Sequence, residues 1–185
     1  MTPLPIPTGP FRSVAHTQNA YVNECGIDAL ARLAGKDPYA YRREMLKDSP
    51  RHVGVLDLVA AKSGWATSLE PDHARGIAVH YSFRSYCAMV AEVSQEKSGI
   101  FRIHRMTAAI DCGQVINPDG VKAQVEGGIV MGLTAAMHGK ITLENGRVKQ
   151  SNFHNYPLLT MDEMPVIDIH IVQSEEVPTG AGEPP

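Results

Sequence analysis

Residues 75–110 read RGIAVHYSFRSYCAMVAEVSQEKSGIFRIHRMTAAI. Polar breaks near Arg84-Ser85 and Glu96-Lys97-Ser98 divide the stretch into Arg75–Phe83, Tyr86–Gln95 and Gly99–Ile110. Each piece is rich in alternating and β-branched residues, and together they read as three consecutive strands. Strands joined so tightly pair antiparallel, because a parallel partner needs a long crossover.

Helices precede these strands. Asn19–Ala34 places Ile27, Leu30, Ala31 and Ala34 at helical spacing, and Gly35 stops it. Asp37-Pro38 reads as an N-cap with proline in the first turn of a short helix through Leu46. Arg51–Ser63 presents Val55, Leu56, Val59 and Ala60 as a core face and ends at Gly64.

Downstream, Asn117-Pro118-Asp119 caps a long helix to about Met137, with Val121, Val125, Ile129, Leu133 and Met137 on one side. Its opposite stripe carries Gln124, Gly127, Gly128 and Gly132. A glycine inside a helix costs about 1 kcal/mol against alanine, so something large is expected against that stripe. Lys140–Gln150 is a hairpin turning at Asn145-Gly146, and Val166–Val172 is a last alternating strand. The class is α+β: N-terminal helices, then a mainly antiparallel sheet with one long glycine-rich helix.

The chain has 185 residues, enough for one domain burying roughly 70% of its unfolded surface. Hydrophobic residues make up 43%, charged residues 20%, and the net charge is −3. With Lys and Arg scattered, nucleic acid is not an expected partner. Gly127–Gly139, the longest nearly apolar run, is too short to span a bilayer. The opening MTPLPIPTGP holds four prolines and lacks a signal peptide's basic start and apolar core. It reads as an extended lead-in, and the chain as written reads as cytoplasmic.

Most catalytic motifs are absent. Eight histidines show no metal-binding spacing, so no protein metal ligand is assigned, and His80, His104 and His170 read as structural. Cys25, Cys87 and Cys112 form no Cys-x-x-Cys pair. Neither a Gly-x-Ser-x-Gly nor a phosphate-binding P-loop occurs. Three stretches remain, each with two readings. Phe11–Asn19 is either a helix-entry loop or a nest of N–H groups for an anion. The Gln124 and glycine stripe is either close packing or a cofactor face. The closing Thr179-Gly180-Ala181-Gly182-Glu183-Pro184 is either a frayed tail or a close-approach loop carrying an acid.

Taken in order, these stretches resemble the xanthine oxidase family of molybdenum hydroxylases, in the form of the isoquinoline 1-oxidoreductase beta subunits. The resemblance rests on Phe11–Asn19 (FRSVAHTQN), Asp111–Pro118 (DCGQVINP), Ala123–Leu133 (AQVEGGIVMGL), Ser151–Pro157 (SNFHNYP) and Gly180–Pro184 (GAGEP). It runs over essentially the whole chain, with Ala15 standing where the family's loop often has glycine.

The resemblance implies a molybdopterin cofactor, commonly as the cytosine dinucleotide, and hydroxylation of an N-heterocycle or aldehyde carbon with oxygen from water. Glu183 would be the base that deprotonates molybdenum-bound hydroxide. Gln124 would lie against the pterin, with Gly127, Gly128 and Gly132 making room. Arg12, Ser13, Val14 and Ala15 would touch the molybdenum end, and Gly182 would line the same loop. A small subunit with two [2Fe–2S] clusters would take the electrons.

Since family members are several times longer, the chain is expected to be a piece: a single incomplete molybdopterin-binding domain. Its parts would be lead-in and cofactor loop (1–18), helices (19–67), sheet plus helix (75–173, helix 118–137) and active-site loop (174–185). Alone it is expected to be inactive and to retain no cofactor, with Glu183 in a mobile tail. A full-length relative could be periplasmic through its own signal. The alternatives are a separately encoded subunit completing a site with a larger partner, and a non-catalytic small-molecule or interaction module.

Overall fold

The computed structural model describes residue 9, residues 11–96 and residues 99–185. The proline-rich lead-in, apart from Gly9, lies outside the described residues. The chain forms α1 (His16–Leu33), α2 (Pro38–Met45), α3 (Pro50–Ser63), β1 (His73–Ser82), β2 (Ser85–Gln95) and β3 (Phe101–Asp111). These are followed by α4 (Pro118–Met137), β4 (Leu143–Glu144), β5 (Arg147–Val148) and β6 (Val166–Ile171).

Local chemistry sets the boundaries. The Asp37 side chain accepts the Ala40 N–H and the Asn117 side chain that of Gly120, so α2 and α4 start where the sequence placed their caps. Gly64 ends α3 in a left-handed conformation. Asn145 and Gly146 both have positive φ, as a two-residue hairpin turn requires.

The main sheet runs β1-β2-β3-β6. β1, β2 and β3 pair antiparallel, with Val79 opposite Ala88 and Ala88 opposite Ala109. β6 lies parallel to β3, a detail the mainly antiparallel expectation did not specify. The crossover through α4 and the β4–β5 hairpin is long enough to return the chain to β3's starting end. Alternation gives the sheet two covered faces. Ile77, Val79, Ala88, Val90 and Ala109 pack under Val55, Leu56 and Val59 of α3. Met106, Ala108 and Ile110 pack against Val125 and Ile129 of α4.

α1 departs from its expected face. It begins at His16, three residues before the position read from sequence. Ala31 is buried, but Leu30 is half exposed. A buried polar cluster anchors the helix instead. Arg42 is 1% exposed; its Nε donates to Glu24 Oε2 at 2.8 Å and its Nη1 to Asp28 Oδ1 at 2.6 Å. Glu24 Oε2 also accepts the Val79 N–H at 2.9 Å, tying α1 to β1. An apolar-periodicity reading cannot see such an anchor.

Removing one partner of a buried ion pair strands the other charge. Arg42→Ala should therefore cost about 3–5 kcal/mol, whereas Leu30→Ala should stay within about 0.5 kcal/mol. Urea unfolding of both variants checks the contrast; equal losses would show that apolar contacts hold α1.

Candidate functional site

The end of the chain runs back along β3. Beyond β6, Val172 N–H donates to Ile110 O, Gln114 N–H to Glu176 O and Thr179 N–H to Cys112 O, at 2.8–2.9 Å. Gly113 makes this approach feasible: its φ is +75°, and an added Cβ would stand 2.3 Å from the Val177 carbonyl oxygen. Its turn is fixed from below. Arg51 donates through Nε and Nη2 to the two oxygens of Asp111, each at 2.7 Å, and Gly113 N–H donates to Asp111 Oδ1. Arg51 also lies over the Tyr86 ring at 4.5 Å. Burial pushes the Asp111 carboxyl up, but the bonds from Arg51 and Gly113 outweigh it and hold it below its ordinary 3.8.

Next, Ser85 takes hold of the loop. A carbonyl can only accept, so the Ser85 hydroxyl donates to Gly180 O at 2.5 Å and accepts from the Thr179 hydroxyl at 2.6 Å. The neighbouring β1–β2 turn, with Phe83 and Arg84 both at positive φ, brings Phe83 Cβ within 3.8 Å of a Cβ built at Gly180.

The sequence-derived site residues then converge. Arg12 Nε donates to Gly182 O at 2.9 Å and its Nη2 to the Gln124 carbonyl of α4 at 3.1 Å. Ser13 N–H donates to the Glu183 carboxylate, and Ser13 Oγ to the Glu183 backbone carbonyl. Gln124 Oε1 lies 3.8 Å from a Cβ built on Gly182. The terminal loop is thus docked through both backbone and side chains, not frayed or free as a mobile tail. Val14 and Ala15 share the Arg12 loop but make none of these contacts. Ser13 and Val14 carry positive φ, 67° and 50°, while Ala15 is ordinary right-handed at −74°. The backbone of residue 15 therefore has no need of glycine.

The glycine stripe divides in two. A Cβ on Gly128 would meet the Pro185 carbonyl oxygen at 2.7 Å, so the chain's own end takes that space. Gly132 has nothing within 4 Å of an added Cβ, and Gly127 only Arg12 Nη1 at 3.6 Å. Gly127 lies one turn from Gln124, whose side-chain amide has no hydrogen-bond partner among the described residues, while Gly132, about 140° further round the helix, lines the cavity between α4 and the sheet. Below the Arg12 loop a cavity of about 490 Å³ separates α1, the sheet and α4, lined mainly by apolar groups including Met89, Met106, Ile129 and Leu133. Among the described residues no three His, Cys, Asp or Glu side chains come together in a way that could hold a metal. No helix among them is long and apolar enough to cross a membrane.

Two further groups escaped the sequence reading. Arg51 gave no motif signal, although its partner Asp111 did. The His16–His80 pair, joined Nδ1 to Nε2 at 3.0 Å, links residues 64 positions apart.

A family model described as the molybdopterin cofactor-binding domain matches residues 19–165, and the chain belongs to that family. The match spans Gln124 and α4 but stops short of both the Arg12 loop and Glu183. Among curated proteins, the chain is 33% identical to the beta subunit of isoquinoline 1-oxidoreductase from Brevundimonas diminuta, over 94% of this chain and 23% of that one. It is 30% identical to one subunit of the nicotinate dehydrogenase of Pseudomonas putida, over 99% of this chain and 17% of that one. The chain thus spans about a quarter or less of these relatives. Among solved structures, reconstituted CO dehydrogenase from Oligotropha carboxidovorans aligns with a TM-score of 0.51 and 26% identity, over 55% of this chain and 13% of that one.

Gly113→Ala should expel the loop, because the new Cβ meets backbone that cannot yield. Amide exchange at Gln114 and Thr179 should accelerate markedly while Val79 keeps its protection; unchanged rates at both would show that the loop docks without this turn.

Acid should act on the same region. Asp111's lowered folded value means its stabilisation is complete above about 3.8 and is lost as pH falls through the folded value. His80 and His52 are lowered from 6.5, chiefly by burial. The unfolded chain therefore binds more protons just below 6.5, and stability should rise with pH across that window. Thermal unfolding between pH 4 and 7.5 should show Tm increasing with pH; a flat profile would contradict it.

Proposed function

We propose that this chain forms one wall of the molybdopterin site of a longer molybdenum hydroxylase subunit, with the cofactor in its cytosine dinucleotide form. The reaction we assign is oxidative hydroxylation of an electron-poor carbon in an N-heterocycle, with water as the oxygen source. The family membership and the two N-heterocycle-named relatives support that reading. The observation that carries it here is the convergence of Arg12, Ser13, Gln124, Gly182 and Glu183 beside Gly127 of α4.

The residues present fit such a cofactor. Gln124 offers a side-chain amide with no hydrogen-bond partner among the described residues, able both to donate and to accept, one helical turn from Gly127. A cofactor edge can approach the helix backbone at Gly127 more closely than a Cβ there would allow, with Arg12 Nη1 flanking it. When bound, the molybdenum group supplies a two-electron acceptor and the transferred oxygen; the electrons would leave through an iron–sulfur [2Fe–2S] small subunit.

The chain's own part is proton handling and orientation. Glu183 is the assigned general base. Its carboxylate is oriented by the Ser13 N–H, which leaves the other oxygen free to receive a proton. Arg12 stays clear of the carboxylate, spending its donors on the carbonyls of Gly182 and Gln124. It therefore fixes the loop without pairing with the base. Alone, the chain presents only one wall, and we assign it neither cofactor retention nor turnover.

In the full-length subunit, Glu183→Gln should lower kcat by roughly 10²–10⁴-fold, the span of general-base contributions, while molybdenum content per polypeptide stays at the wild-type level. Turnover within a few-fold of wild type at full molybdenum loading would remove Glu183 from the chemistry. Molybdenum bound in equal amount by the 185-residue chain would overturn the single-wall reading.

A further inference from the structure

The Arg12 loop ends at His16, the first residue of α1, and His16 is held from the sheet. Its Nδ1 stands 3.0 Å from Nε2 of His80 on β1, the rings meeting edge to face at 5.2 Å. Phe83 of the β1–β2 turn tilts against His16 at 5.3 Å. His16 N–H in turn donates to Ser13 O, closing the turn in which Ser13 and Val14 are both left-handed. Two non-glycine residues in that region are costly and persist only where surrounding contacts over-determine them. Val14 N–H to Phe11 O and the Thr17 hydroxyl to Arg12 O are local contacts; His80 is the hydrogen-bonded partner of His16 from a distant element.

We propose that His80 is a positioning residue: by hydrogen-bonding His16 it holds the left-handed Ser13–Val14 turn, so that the Ser13 N–H faces the Glu183 carboxylate. The importance of that alignment for catalysis rests on the function proposed above; the alignment itself does not.

The chemistry of the pair makes the hold conditional. One imidazole must donate and the other accept, so the contact survives with no added proton or one and fails with two. The groups facing His80 are His16 and Glu24 from α1 and His52 from α3. Burial, then the charges of His16 and His52, push its protonation below the usual 6.5, against the opposite pull of Glu24. The pair therefore stays joined near neutrality and opens only when acidification adds the second proton.

The test uses the 185-residue chain and reads the Ser13 amide by NMR, with Val79 N–H, held by Glu24, as the internal control. His80→Phe keeps a ring but removes the hydrogen bond; His80→Gln keeps a side-chain donor and acceptor. Hydrogen-exchange protection at Ser13 should fall about tenfold in His80→Phe, the equivalent of one ordinary hydrogen bond, and recover in His80→Gln, with Val79 unchanged. If the phenylalanine variant does not fold, pH decides in the wild-type chain: the Ser13 amide shift should move as pH falls from 7 to 5, together with the His80 ring signals. Wild-type protection in His80→Phe, equal losses at Ser13 and Val79, or a Ser13 shift indifferent to pH would each overturn the proposal. Should Glu183→Gln leave turnover intact while His80 variants still loosen Ser13, the proposed function falls and this inference stands.

Discussion

One guanidinium joins the three stretches on which the site depends. Arg12 lies 112 residues from Gln124 and 170 from Gly182, yet it donates to both carbonyls and lies over Gly127. Carbonyl acceptors define its position without requiring a carboxylate nearby. Glu183, the acid within Thr179–Pro184, is thereby left to the Ser13 amide. A salt bridge in place of this arrangement would hold the loop as well but would occupy the base.

The fold serves that junction by fixing its three contributors separately. α1 delivers Arg12 and is pinned through Glu24, Arg42 and the β1 backbone. α4 delivers Gln124 by packing Val125 and Ile129 on the sheet. The terminal loop is delivered by β3's extension, where Asp111, Arg51 and Gly113 set a turn that only glycine can make. Ser13 and Val14 carry positive φ where the Arg12 loop meets Glu183, and Phe83 and Arg84 carry it as a two-residue hairpin turn requires. The strain at Ser13 and Val14 is offset by contacts to Glu183, Phe11 and His16.

Much of this was legible in the sequence for identifiable reasons. Caps at Asp37 and Asn117, glycine stops and the alternation of residues 75–110 are local signals, and the elements they mark formed as expected. The α+β class followed from their order. What the sequence could not show were pairings between distant polar groups: Arg42 with Glu24, Arg51 with Asp111, His16 with His80. Each is invisible to apolar periodicity, which also put Leu30 inside and left Glu24 unassigned. The glycine stripe was visible, but not its division: Pro185 lies against Gly128, Arg12 against Gly127, and Gly132 lines the cavity.

The most direct measurement is a structure of the longer protein with its cofactor bound. The account predicts the pterin against α4 at Gln124 and Gly127 at van der Waals distance, about 3.5–4 Å, with the Gln124 amide hydrogen-bonded to it and the Glu183 carboxylate turned to the molybdenum end. A pterin seated elsewhere, with that helix face covered by protein side chains, would contradict it.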